Sequence, residues 1–131
     1  MSDDARFEKG LEMLDAIEDG AADEIAAVLQ EMAPDYAKTS VAYAFGDIYS
    51  RTEQLDLKSR EIATVAALTA MGTAQPQLKV HIRSALKVGI TQAQLAEIIG
   101  HVGVYAGVPA AMNAFYAMKQ AITEREAQQQ R

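Results

Sequence analysis

The chain has no cysteine. That removes disulfides, thiolate metal sites and every mechanism built on a thiol nucleophile. Its first residues, MSDDARFEKG, are acidic and lack an apolar h-region, so they do not read as a signal peptide. No apolar run reaches the roughly 18 residues that a membrane span needs. There is no basic excess: Lys and Arg total 12 against 18 Asp and Glu, a net charge of −6. Phosphate recognition needs a basic face, so a general nucleic-acid binder is excluded. The same sign argues against docking on an anionic membrane. The P-loop, the dinucleotide fingerprint, the nucleophile elbow and HExxH are all missing, so neither a cofactor nor a metal is expected. A cytoplasmic protein is the expectation.

What is present favours helix. The 131 residues suit one domain with one core, and a hydrophobic half with 23% charge fits a soluble globular chain. Ala, Leu, Ile, Met, Glu and Gln dominate. The three prolines and most glycines fall between periodic segments, where they punctuate. The fold class is therefore all-α, a single domain over 1–131 with six to seven helices.

Phe7, Leu11, Leu14 and Ile17 form one stripe, which predicts an amphipathic helix over 5–18 that Gly10 weakens and Gly20 ends. Ile25, Val28, Leu29 and Met32 repeat the pattern over 21–33. Pro34 suits a first helical position and opens an aromatic helix over 34–50. A polar linker, RTEQLD, leads to a helix over 57–71. Ile62, Val65, Ala66 and Leu68 are its core face, and Glu61 lies at the edge of that face or within it. Pro76 opens a helix over 76–88, with His81 among Leu78, Ile82 and Ala85 on its buried side. Lys79, Arg83 and Lys87 step along another, solvated face. Thr91 and Gln94 spell a capping box, with Ile90 and Leu95 as its staple, for a helix over 91–106. Pro109 starts the last helix, 109–126, and residues 124–131 are a polar tail expected to fray.

Helix 91–106 is apolar on nearly all sides beyond Glu97, so burial all round is expected. Gly100, Gly103 and Gly107 would allow close helix approach. A chain this short has few places to surround a whole helix, which implies a homo-oligomer. Glu97, His101 and Tyr105 stack at i, i+4, i+8. With His81 and Glu61 on the two preceding helices, two histidines and two acids are placed to converge. As a metal site this set is weak, because no His pair falls at i, i+4.

REIATVAALTAMG (60–72), LKVHIRSALKVGIT (78–91) and LAEIIGHVGVYAGVPAAMNAF (95–115) resemble the carboxymuconolactone decarboxylase family, part of the alkylhydroperoxidase D-like superfamily. The resemblance covers roughly 34–122. It implies an all-helical, homo-oligomeric fold, commonly a trimer or hexamer. The peroxidase branch uses a CxxC pair one turn before the position of His81. Here Ala74 and Gln77 stand there, which rules out that mechanism. The other branch is a cofactor-free lyase that decarboxylates 4-carboxymuconolactone in aromatic catabolism. On that resemblance His81 is the general acid or oxyanion donor and Glu61 orients it. Arg60 or Arg83 holds a substrate carboxylate, and His101, Tyr105 and Asn113 finish the pocket. One departure is Met112-Asn113, where members resembling the decarboxylase carry Asn-His. The alternative is a non-thiol paralogue that binds a small molecule, serves as an accessory oligomer or turns over an unrelated substrate.

Overall fold

Seven α-helices and no strand make up the described residues of the computed structural model, which are 1–130, with Ala22 and Ala26 described by backbone alone. The fold is all-α. Arg131, the last residue of the tail expected to fray, lies outside the described residues. The chain divides into two compact units, Met1–Leu57 and Lys58–Arg131.

The first unit holds α1 (Asp3–Ile17), α2 (Ala21–Met32) and α3 (Pro34–Val41), and α3 runs on into a π-helical segment, Ala42–Tyr49. Leu14, Ala21 and Val41 form its core, with Phe7, Leu11, Ile25 and Phe45 packed against them. Gly10 reads in the sequence as a weak point of α1. In the structure it is the contact point: a Cβ there would fall 2.5 Å from the carbonyl oxygen of Val41. Gly46 does the same against the carbonyl of Arg6. Backbone therefore meets backbone along this crossing, and only glycine fits.

Ion pairs tie the same crossing from outside. Arg6 donates from Nε and Nη2 to the two oxygens of Asp47, at 2.9 and 2.5 Å. This is the fork geometry that favours arginine over lysine. Lys38 pairs with Asp4. Hydrogen bonding to Arg6 holds the Asp47 carboxyl below the usual carboxylate range, and hydrogen bonding to Lys38 does so for Asp4.

The second unit holds α4 (Leu57–Met71), α5 (Gln75–Lys87), α6 (Gln92–Ala106) and α7 (Val108–Gln129). Val65, Leu78, Ile82, Ala85, Ile90, Leu95 and Ile99 interlock with the alanine face of α7, Ala111, Ala114, Ala117 and Ala121. Side chains this small let α7 lie close against α5 and α6. The expected capping box is present: Gln94 N donates to Thr91 Oγ1, and Thr91 N donates to the Gln94 amide oxygen, each at 3.0 Å. Gly107, at φ +98°, ends α6 and lets Pro109 enter the first turn of α7.

One expectation for α6 and one for α7 need correction. Within one chain α6 buries a single face: Leu95, Ile99 and Val102 are buried, whereas Gly100, His101, Val104 and Tyr105 are exposed. Neighbouring helices of the unit cover one face only. The glycines also differ in purpose, since a Cβ at Gly103 would meet Ala111 at 3.1 Å but one at Gly100 would meet nothing. Helix α7 continues to Gln129, past the boundary at 126. Among the described residues no helix is long and apolar enough to cross a membrane.

Candidate active site

A stripe at i, i+4, i+8 along α4 turns Glu61, Val65 and Thr69 inward. Glu61 is 0% exposed. Burying a carboxylate is costly unless something pairs with it. The tight turn after Met71 folds α5 back and brings His81 to it: His81 Nδ1 lies 3.0 Å from Glu61 Oε2. The side chain of His81 is 15% exposed, so the imidazole is the accessible end of the pair and the carboxylate the sealed end. With the carboxylate ionised, Nδ1–H donates to Oε2, which fixes the tautomer and orientation of the ring. Among the described residues neither Glu61 Oε1 nor Thr69 Oγ1, both buried, has a hydrogen-bond partner. A carboxylate that fixes a tautomer and stabilises an imidazolium is the arrangement that general acid–base catalysis uses.

The remaining expected residues scatter around this pair. Arg60 stands next to Glu61 and is partly buried. Arg83 is not on the solvated face expected for it: it is 6% exposed, and Nη1 donates to Glu124 Oε2 on α7. It lies two residues past His81, about 200° around the helix, so its guanidinium leaves α5 on a different side. Lys79 donates to the other oxygen of Glu124 at 3.0 Å. His101 and Tyr105 do stack, with ring centroids 5.6 Å apart, but both are exposed. Asn113 is exposed on α7.

Glu124 is the residue that the sequence reading missed. It lies in the stretch expected to fray, yet it anchors two cations of α5. Its signal was the alanine series of α7, which places position 124 on the packed side one turn after Ala121. Glu97, expected to face His101, instead lines a cleft shared with α4. Among the described residues no group of three or more His, Asp and Glu could hold a metal ion.

The chain is similar to 4-carboxymuconolactone decarboxylase of Acinetobacter baylyi, 29% identical over 117 residues that cover 88% of this chain and 86% of that one. It is similar to an uncharacterized 15.0 kDa protein of Paracoccus denitrificans, 30% identical over 99 residues, 75% and 73% of the two chains. It is also similar to nitrosuccinic acid decarboxylase of Metarhizium robertsii, 28% identical over 82 residues, 63% and 56% of the two. The sequence model of the carboxymuconolactone decarboxylase family matches residues 34–120, a span that contains Glu61, His81 and the whole of α4 to α6. The chain belongs to the carboxymuconolactone decarboxylase family.

Proposed function

We propose that the chain is a cofactor-free carboxy-lyase acting on a small carboxylated lactone of the 4-carboxymuconolactone type, in the breakdown of aromatic compounds in the cytoplasm. The observation that carries this reading is the sealed Glu61 carboxylate hydrogen-bonded to the accessible His81. Two relatives named as decarboxylases of different small acids support the reaction class more strongly than either substrate.

The chemistry asks little of the protein beyond charge and a proton. The C–C bond to the leaving carboxylate breaks, and its electron pair enters the ring system as a dienolate with charge on the lactone oxygen. CO2 departs. His81 gives a proton to a ring carbon, Glu61 stabilises the imidazolium before transfer, and solvent restores the proton. Arg60 or Arg83 holds a substrate carboxylate; the Arg83 guanidinium also donates to Glu124.

The active form in this reading is a homo-oligomer, a trimer or hexamer. Residues 98–118 contain no Asp, Glu, Lys or Arg, in a chain with 23% charge. Val104, Tyr105, Val108, Met112 and Tyr116 in that stretch are exposed. Charge depletion with aromatics and Met is what interface cores show, and acidic copies meet most readily on a neutral face. His101 and Tyr105 belong to this face.

The test is a spectrophotometric decarboxylation assay with 4-carboxymuconolactone on the wild type and His81→Ala. The variant is expected to lose turnover by about 10²- to 10⁴-fold while keeping its helical circular dichroism and oligomeric state. Equal turnover in the two proteins overturns the assignment.

A further inference from the structure

A cleft of about 420 Å³ lies between the N-terminal halves of α4 and α6, and it includes neither Glu61 nor His81. Its apolar lining is Ile62, Ile90, Ala93 and Ile98. Ile90 is 2% exposed and Ile62 is 40% exposed, so the cleft has a buried floor and an open side. The volume falls in the range of small-molecule sites rather than of packing defects.

Two opposite charges line the same cleft, Lys58 on α4 and Glu97 on α6. Both are exposed, and neither makes an ion pair among the described residues. Gln94 also lines it, but its amide oxygen is committed to the Thr91 backbone N–H. Charged recognition therefore falls to Lys58 and Glu97. The helix directions decide which charge binds the ligand head. Lys58 is in the first turn of α4, and Ala93 and Gln94 are in the first turn of α6. Both helices thus present their positive ends here, which adds to the ammonium and opposes a bound cation. Glu97, one turn further along α6, repels a second carboxylate.

We infer that this cleft is a binding site for a small amphipathic monocarboxylate, with its apolar body on the isoleucine floor and its carboxylate on Lys58. The inference does not rest on the proposed decarboxylation. It also excludes a dicarboxylate as the preferred ligand, which separates this cleft from a site that must hold two substrate carboxylates.

Octanoate, octanedioate and octylamine are the probes, titrated by calorimetry into the full chain and into three surface variants. Saturable octanoate binding in the millimolar range or tighter is expected, with octanedioate and octylamine weaker by about tenfold or more. Lys58→Glu and Ile62→Asp should each weaken octanoate by about tenfold, and Glu97→Gln should bring octanedioate toward octanoate. No saturable octanoate binding overturns the inference. So does tighter octylamine binding, which reverses the sign, or octanoate binding unchanged in Ile62→Asp, which misplaces it. Failure to bind octanoate together with a smaller oligomer for Ile62→Asp identifies the cleft as a contact between copies, and the inference falls.

Discussion

Across the α1 crossing of the first unit, glycine backbone meets carbonyl oxygen, and charged pairs on the outside complete the contact. In the second unit, six positions on α4, α5 and α6, with Ile90 in the turn before α6, close over an alanine face, and Glu61 and Arg83 are buried. Among the described residues, the core cluster of the first unit has three buried residues and that of the second has eleven. Apolar burial is insensitive to salt and to mild acid, whereas exposed ion pairs are screened by one and neutralised by the other. The unit that carries the Glu61–His81 pair is thus the one whose ionisable groups are set against the larger apolar core. A catalytic geometry that must hold within a fraction of an ångström gains from such support.

Three experiments sharpen or break that contrast. The largest effect is expected from Ile82→Ala, at 0% exposure beside His81. Chemical denaturation should show a loss of about 2–5 kcal/mol. Leu14→Ala in the first unit should fall at the low end of the same range, since fewer buried neighbours surround it. Equal losses would remove the contrast. Next comes Glu124→Ala, which leaves the buried Arg83 guanidinium without that acceptor. A cost of about 1–3 kcal/mol is expected, and hydrogen exchange should rise along α5 and the end of α7.

The smallest effect is acid. The carboxyls of Asp47 and Asp4 titrate below their ordinary range. A depressed carboxyl contributes stability that is present above its unfolded pKa of about 4 and is lost as pH falls through the folded value. Protection factors for hydrogen exchange in residues 1–57 should therefore fall below about pH 4, and Asp47→Asn should flatten that dependence. Added salt should act in the same direction near neutral pH. Loss of protection in acid confined instead to α4–α7 would invert the comparison.

Much of this was legible in the sequence because the punctuation is local. Pro34, Pro76, Pro109 and the Thr91–Gln94 box act within a turn, so helix limits were readable to within a residue or two, save at the end of α7. The inward faces of Glu61 and His81 followed from periodicity. Their hydrogen bond did not, since it joins residues 20 apart through the turn after α4. Arg83 was misread for the same reason: its burial depends on Glu124, 41 residues away. The π-helical run at 42–49 has no counterpart in a pattern read at helical period. The apolarity of α6 is legible in the sequence, but a helix apolar on most sides gives periodicity no contrast with which to tell the buried face of Leu95, Ile99 and Val102 from the exposed Val104 and Tyr105.

The alanine face of α7 has one more consequence. Ala111, Ala114, Ala117 and Ala121 already carry the smallest side chain that helix tolerates well. Sequence drift at these four positions is therefore one-sided: every replacement except glycine adds volume and moves α7 outward. Helix α7 behaves as a fixed gauge for the spacing of α5 and α6. A library randomised there should return alanine, with serine and glycine behind it, while the exposed side of the same helix accepts almost anything.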